Sequence, residues 1–110
     1  MTGGEHLRWY VLSAVAPLYE NISGVESKVK TWSEEDGLSF NDAEIRHALE
    51  NLIASGFVDP WTLAVNSPEN RRTTYYPDEA EKLWFLITAP GQQLLVSLDR
   101  KLRGTTRSTI

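Results

Sequence analysis

The sequence predicts an α+β domain in which three helices precede a strand-rich segment and a fourth helix closes the chain. Three observations carry that reading. Asn41 to Gly56 is a capped amphipathic helix signature, Phe57 to Ile87 alternates short apolar runs with prolines and turn residues, and Thr88-Ala89-Pro90 opens a leucine-striped helix. At 110 residues the chain holds one domain of ordinary size. Apolar residues make up 41% and charged residues 24%, the balance of a soluble globular protein with a real core. That domain is expected over 1–103, with a flexible polar tail over 104–110 (GTTRSTI).

The first helix is expected from about His6 to Glu20. Leu7, Val11, Ala14, Val15 and Leu18 recur at helical spacing and share one face. Pro17 removes a backbone donor and crowds the preceding turn, so a kink or an early end is expected there. Ser23 and Glu26 stand in capping-box spacing and predict the start of the second helix. Val25, Val29 and Trp32 follow on one face, and Ser33-Glu34-Glu35-Asp36-Gly37 closes it with a glycine suited to a left-handed cap.

The third helix has the clearest signature. Asn41 and Glu44 repeat the capping-box spacing, with Ser39 as a competing cap, and Phe40 is placed to staple onto Ile45. Ile45, Ala48, Leu49, Leu52 and Ile53 form an i, i+3, i+4, i+7, i+8 stripe that ends at Ser55-Gly56.

Phe57-Val58 and Trp61 to Val65 read as strand, and Pro60 between them suits an edge or a bulge better than a sheet centre. Asn66 to Arg72 (NSPENRR) is turn material, Thr73 to Tyr76 a short strand, and Pro77 to Glu81 a polar excursion. Leu83 to Ile87 is an apolar strand between turn signals. Thr88 caps the last helix, Pro90 sits in its first turn, and Leu94, Leu95, Leu98 and Leu102 form its apolar stripe.

Composition excludes several function classes. The chain has no cysteine, which removes disulfides, thiolate metal sites and a cysteine nucleophile, and fits a reducing compartment. No apolar run approaches the ~20 residues of a membrane-spanning helix. Met1 to His6 lacks a signal-peptide pattern, so a cytoplasmic protein is expected. His6 and His47 fall on different helices; Glu50, three residues after His47, completes only a pair of ligands, and no metal or cofactor is expected. Ser23, Ser39 and Ser97 have no recognisable base nearby and no glycine-rich phosphate loop is present, so an enzyme is not expected.

Two blocks carry a resemblance to a known family. Glu44 to Val58 (EIRHALENLIASGFV) looks like the third helix of bacterial winged-helix regulators, where a leucine-bearing stripe ends in glycine before an apolar strand. Phe85 to Leu95 (FLITAPGQQLL) is similar to the strand-to-helix junction that closes the wing in regulators of the MarR and PadR type. With the segment between them, these blocks cover about half the chain. The resemblance implies a winged helix-turn-helix: a three-helix bundle, a β-wing and a C-terminal helix. The long stretch from Phe57 to Leu83 departs from a plain two-stranded wing and leaves the subfamily open.

The resemblance further implies a sequence-specific regulator of transcription that binds double-stranded DNA, its third helix in the major groove and its wing on the backbone. Carried over by position, Arg46, His47 and Asn51 would contact bases or phosphate, and Arg71, Arg72 and Thr73 on the wing would grip the backbone. An amphipathic helix shows a polar face whether or not it binds anything, and two arginines in a turn are otherwise merely solvated. Charge opposes the DNA reading: the net charge is −4, and six acids lie between Ser33 and Glu50 against one cation, Arg46. Glu44 and Asp42 suit a helix start, whereas Glu34 to Asp36 have no local explanation in the sequence. The alternative is a winged-helix module that docks a protein partner through this acidic face. Arg100, Lys101, Arg103 and Arg107 form a third basic group, which the dipole of the last helix favours by itself; the alternative is a tail that contacts the DNA backbone. A homodimer is expected, with Trp9, Tyr10, Leu95 and Leu102 of the terminal helices at its interface.

Overall fold

The computed structural model describes residues 2–62 and 71–106 and has an α+β architecture of helices packed on one antiparallel sheet. The elements are α1 (Thr2–Val15), β1 (Glu20–Asn21), α2 (Ile22–Glu35), α3 (Asp42–Ala54), β2 (Val58–Thr62), β3 (Arg71–Arg72), a 3₁₀ segment (Pro77–Lys82), β4 (Trp84–Ile87) and α4 (Ala89–Thr106). α1 is the hub: it packs against α2, α3 and α4 and touches β4. Tyr10, Val11, Leu12, Ala14 and Val15 are therefore all buried, covering more of the helix circumference than the one-sided stripe expected.

α1 ends at Val15, the early end expected at Pro17, because the residue before a proline is driven out of the helical region. Glu20 is not helical; it pairs with Phe85 as Asn21 pairs with Trp84. The chain leaves this strand directly into α2, so the cap is Asn21 and not Ser23. The Asn21 side chain accepts from the Gly24 amide at 2.8 Å, and Glu26 is released to face α3. α3 starts where expected, at Asn41, with both arms of its capping box present. α2 and α3 end in the same motif. Gly37 and Gly56 take φ of 78° and 83°, and the next amides, Leu38 and Phe57, reach back to the Ser33 and Leu52 carbonyls at 2.7 and 2.9 Å.

The sheet order is β1-β4-β2-β3. Pro60 lies in an inner strand, opposite Phe85, and not at an edge. Its carbonyl accepts the Thr73 amide at 2.9 Å, so its missing donor also faces β3 and the ladder to β4 loses nothing. The loss falls on β3, which pairs only as Arg71–Thr62 and Arg72–Trp61 and stops before Thr73. The strand expected at Thr73 to Tyr76 is thus displaced to Arg71–Arg72. Residues 63–70, including most of the expected turn and the end of the expected second strand, lie outside the described residues, as do 107–110.

Val58, Pro60, Phe85 and Ile87 bury the inner sheet face, while Trp61 and Trp84 pair on the outer one. The polar excursion at Pro77 to Glu81 proves to be the 3₁₀ segment, anchored by fully buried Ala80. Thr88 caps α4 by accepting the Gly91 amide at 3.1 Å, and α4 continues through Thr106, beyond the expected boundary at residue 103. Leu98 and Leu102 are buried and Leu94 and Leu95 half-buried, as the stripe predicts.

The two sequence blocks singled out above meet at one place. The Thr88 hydroxyl donates to the Gly56 carbonyl at 2.7 Å, and the Thr88 amide donates to the Phe57 carbonyl at 3.0 Å. Gly91 sits so close that a Cβ there would lie 2.0 Å from the Phe57 oxygen. This junction fixes the exit of α3 against the start of α4.

Candidate nucleic-acid interface

The inner stripe of α3 (Ile45, Ala48, Leu49, Leu52) is buried, which turns Ala43, His47, Asn51 and Ala54 outward. The charged residues of α3 are each engaged within the domain. Lys30 of α2 pairs with the Asp42 carboxylate. Glu44 Oε1 accepts the Asn41 amide at 3.0 Å, and Glu50 Oε2 accepts the Tyr75 hydroxyl at 2.7 Å. Burial together with this bond raises the Tyr75 pKa far above its ordinary value, so the hydroxyl stays a donor.

Arg46, expected to contact bases or phosphate, is held by carboxylates of the domain itself. Its Nη2 lies 3.2 Å from Glu81 Oε1 on the 3₁₀ segment and 3.9 Å from Glu26 Oε2 on α2. Glu81 is held below the usual carboxylate range by its own backbone amide and by Arg46. Glu26 is pushed above it, first by burial and then by the neighbouring Asp42.

His47 and Asn51 are brought together on the outward strip, one helical turn apart. They border a depression of about 430 Å³ between α1 and α3, whose other wall includes Glu5 and exposed Arg8. Arg8 was not singled out by the sequence. Its place between Leu7 and Trp9 marks it as a flank residue of α1, but only the packing of α1 on α3 sets it beside His47. Glu5 is drawn toward Lys101 of α4, Nζ to Oε2 at 2.6 Å, so one of the C-terminal cations serves to tie the terminal helices together.

Arg71, Arg72 and Thr73 do not form a turn tip. Arg71 and Arg72 are the strand β3, and Thr73 follows it, half-buried. The Arg72 guanidinium is 3.6 Å from Asp59 Oδ2 with its side chain 69% exposed. The side chains of Arg71, Arg103 and Arg107 lie outside the described residues.

Asp36, unexplained in the sequence, accepts the Tyr10 hydroxyl at 2.5 Å and binds the end of α2 to α1. Glu34 and Glu35 are exposed beside it. Among the described residues no group of three or more His, Cys, Asp or Glu side chains could hold a metal ion, and no helix is long and apolar enough to cross a membrane. Searches of protein-family models and of curated proteins gave no match to this chain.

Proposed function

We propose that this chain is a winged-helix domain that binds double-stranded DNA as a regulator of transcription. In this reading α3 lies in the major groove and the β2–β3 arm follows the neighbouring backbone. The element order, with β1 against β4 and β4 against β2, supports the winged-helix assignment. The observation that carries the function is the outward strip of α3. Ala43, His47, Asn51 and Ala54 face solvent there, bordered by exposed Glu44, which caps the helix start, while Asp42 and Glu50 are engaged by Lys30 and Tyr75. Asn51 suits the paired donor and acceptor of an adenine edge, and His47 a base edge or phosphate. Arg8 beside the strip, and Arg72 on β3, with its side chain 69% exposed although near Asp59, supply cations for phosphate.

The experiment is titration with genomic DNA fragments at low and moderate salt. Retardation that weakens as salt rises is expected. Absence of retardation at low salt would overturn the reading.

A second reading, a winged-helix module for a basic protein surface, is favoured by one specific observation. The cation of α3 is held by two carboxylates, and Glu34 and Glu35 remain exposed on a chain of net charge −4. Changing Glu34 and Glu35 to Lys, and sparing Asp36 because it holds Tyr10, would weaken a partner under this reading, whereas Arg46→Ala with Arg71→Ala and Arg72→Ala would weaken DNA under the first. As a DNA regulator the chain is proposed to act as a homodimer on paired half-sites. Its interface would differ from the residues expected, because Trp9, Tyr10 and Leu102 are spent on the domain's own core. Among the described residues, Val96 on α4 and Leu18 after α1 are exposed apolar groups of the terminal segments, and the expected Leu95 is half-buried beside Val96.

A further inference from the structure

The segment after β3 grips α3 at two positions one turn apart. The Tyr75 hydroxyl donates to Glu50 at 2.7 Å, and Glu81 takes the Arg46 guanidinium at 3.2 Å. The Tyr75 ring lies 6.2 Å from the Phe85 ring, and Ala80, next to Glu81, is fully buried, so the segment is anchored at Tyr75 and at Ala80. At Glu79, two residues before Glu81, the 3₁₀ turns are interrupted, with φ −120° and ψ 20°. Asp78, Glu79 and Glu81 are exposed. An acidic stretch laid along a helix flank, with a carboxylate on its arginine, presents to that arginine what a nucleic-acid backbone would present.

We propose that residues 75–82 are an internal competitor for Arg46: Glu81 occupies the α3 cation and keeps it from phosphate until the segment is displaced or neutralised. This inference rests on the DNA-binding reading. Arg46 keeps Glu26 only at 3.9 Å once Glu81 is gone, so the guanidinium regains its reach. The contact is an exposed one, with the Glu81 side chain 67% accessible, and its release therefore changes affinity by a modest factor.

The test compares the full chain with Glu81→Gln, Arg46→Ala and the double variant on sheared genomic DNA, each checked first for an unchanged melting temperature. Glu81→Ala replaces the glutamine variant if the amide keeps the arginine bound. Glu81→Gln is expected to tighten binding by about two- to five-fold at low salt and to steepen the salt dependence by about one phosphate contact. Arg46→Ala alone is expected to change binding by less than about two-fold, and in the double variant to abolish the gain. Equal affinity of the parent and the Glu81 variants, with both bound, would overturn the competitor and leave the DNA reading standing. No binding by any of them would overturn the DNA reading itself, and the competitor with it.

Discussion

Replacing Asn41 by alanine isolates the signal that made α3 legible. The Asn41 side chain accepts the Glu44 amide at 2.8 Å, and the Glu44 carboxylate returns to the Asn41 amide at 3.0 Å. Alanine removes the first bond and leaves the second available, because the returning arm needs only a backbone donor. Both bonds are exposed, so water replaces part of the loss, and the cost falls near the middle of the measured range, about 1 kcal/mol. Unfolding entropy of roughly 2 cal/mol/K per residue, applied to 110 residues, converts this to a fall of about 4 °C in Tm. Asn41→Ser keeps an acceptor oxygen and should retain most of the stability. Ser39→Ala should be neutral, since that residue is exposed and the cap is Asn41. Thermal unfolding followed by circular dichroism measures all three. A loss under about 1 °C for Asn41→Ala, or an equal loss for Ser39→Ala, would refute the capping argument.

Other perturbations probe the packing around the same helix. Gly91→Ala would ordinarily help a helix, but here the new Cβ meets the Phe57 carbonyl oxygen at 2.0 Å, so a loss of about 1–3 kcal/mol is expected in urea denaturation. Tyr75→Phe deletes the half-buried bond to Glu50 and should cost about 1 kcal/mol by the same measurement. Glu26 binds its proton more tightly folded than unfolded, so it favours folding in acid, and that contribution is lost as pH rises through its raised pKa. Glu26→Gln should therefore stabilise the protein more at pH 7 than at pH 4; the opposite order would contradict the sign. Light scattering at micromolar concentration should give a dimer mass, and a monomer mass would remove the homodimer.

Much of the helical framework was legible because its signals are local. The capping box at Asn41, the stops at Gly37 and Gly56, and the Thr88 cap each depend on residues within one turn, and each stands where its spacing places it. The positions where the structure departs from the local signals depend on partners far along the chain. Asn21 displaces Ser23 as a cap because Glu20 and Asn21 pair with β4, some 64 positions away. Pro60 tolerates an inner strand because its missing donor faces β3, a matter of sheet order that composition cannot show. The candidate site divides in the same way. That His47 and Asn51 face outward follows from helical periodicity, whereas the engagement of Arg46 by Glu81 and the approach of Arg8 to α3 come from tertiary packing. Asp36 was unexplained for the same reason: its partner, Tyr10, lies on another helix.

The proposed contact between the outward strip of α3 and DNA is tested by salt-dependent titration of a variant that lacks the strip's polar side chains. His47→Ala with Asn51→Ala, two exposed changes that spare the core, is compared with the parent chain on genomic fragments across a range of salt. The parent is expected to bind with an affinity that falls with salt, and the double variant to lose about ten-fold or more while its salt slope stays nearly constant, since base contacts carry little counterion release. Equal binding by the double variant, or no binding by the parent at low salt, would contradict that contact.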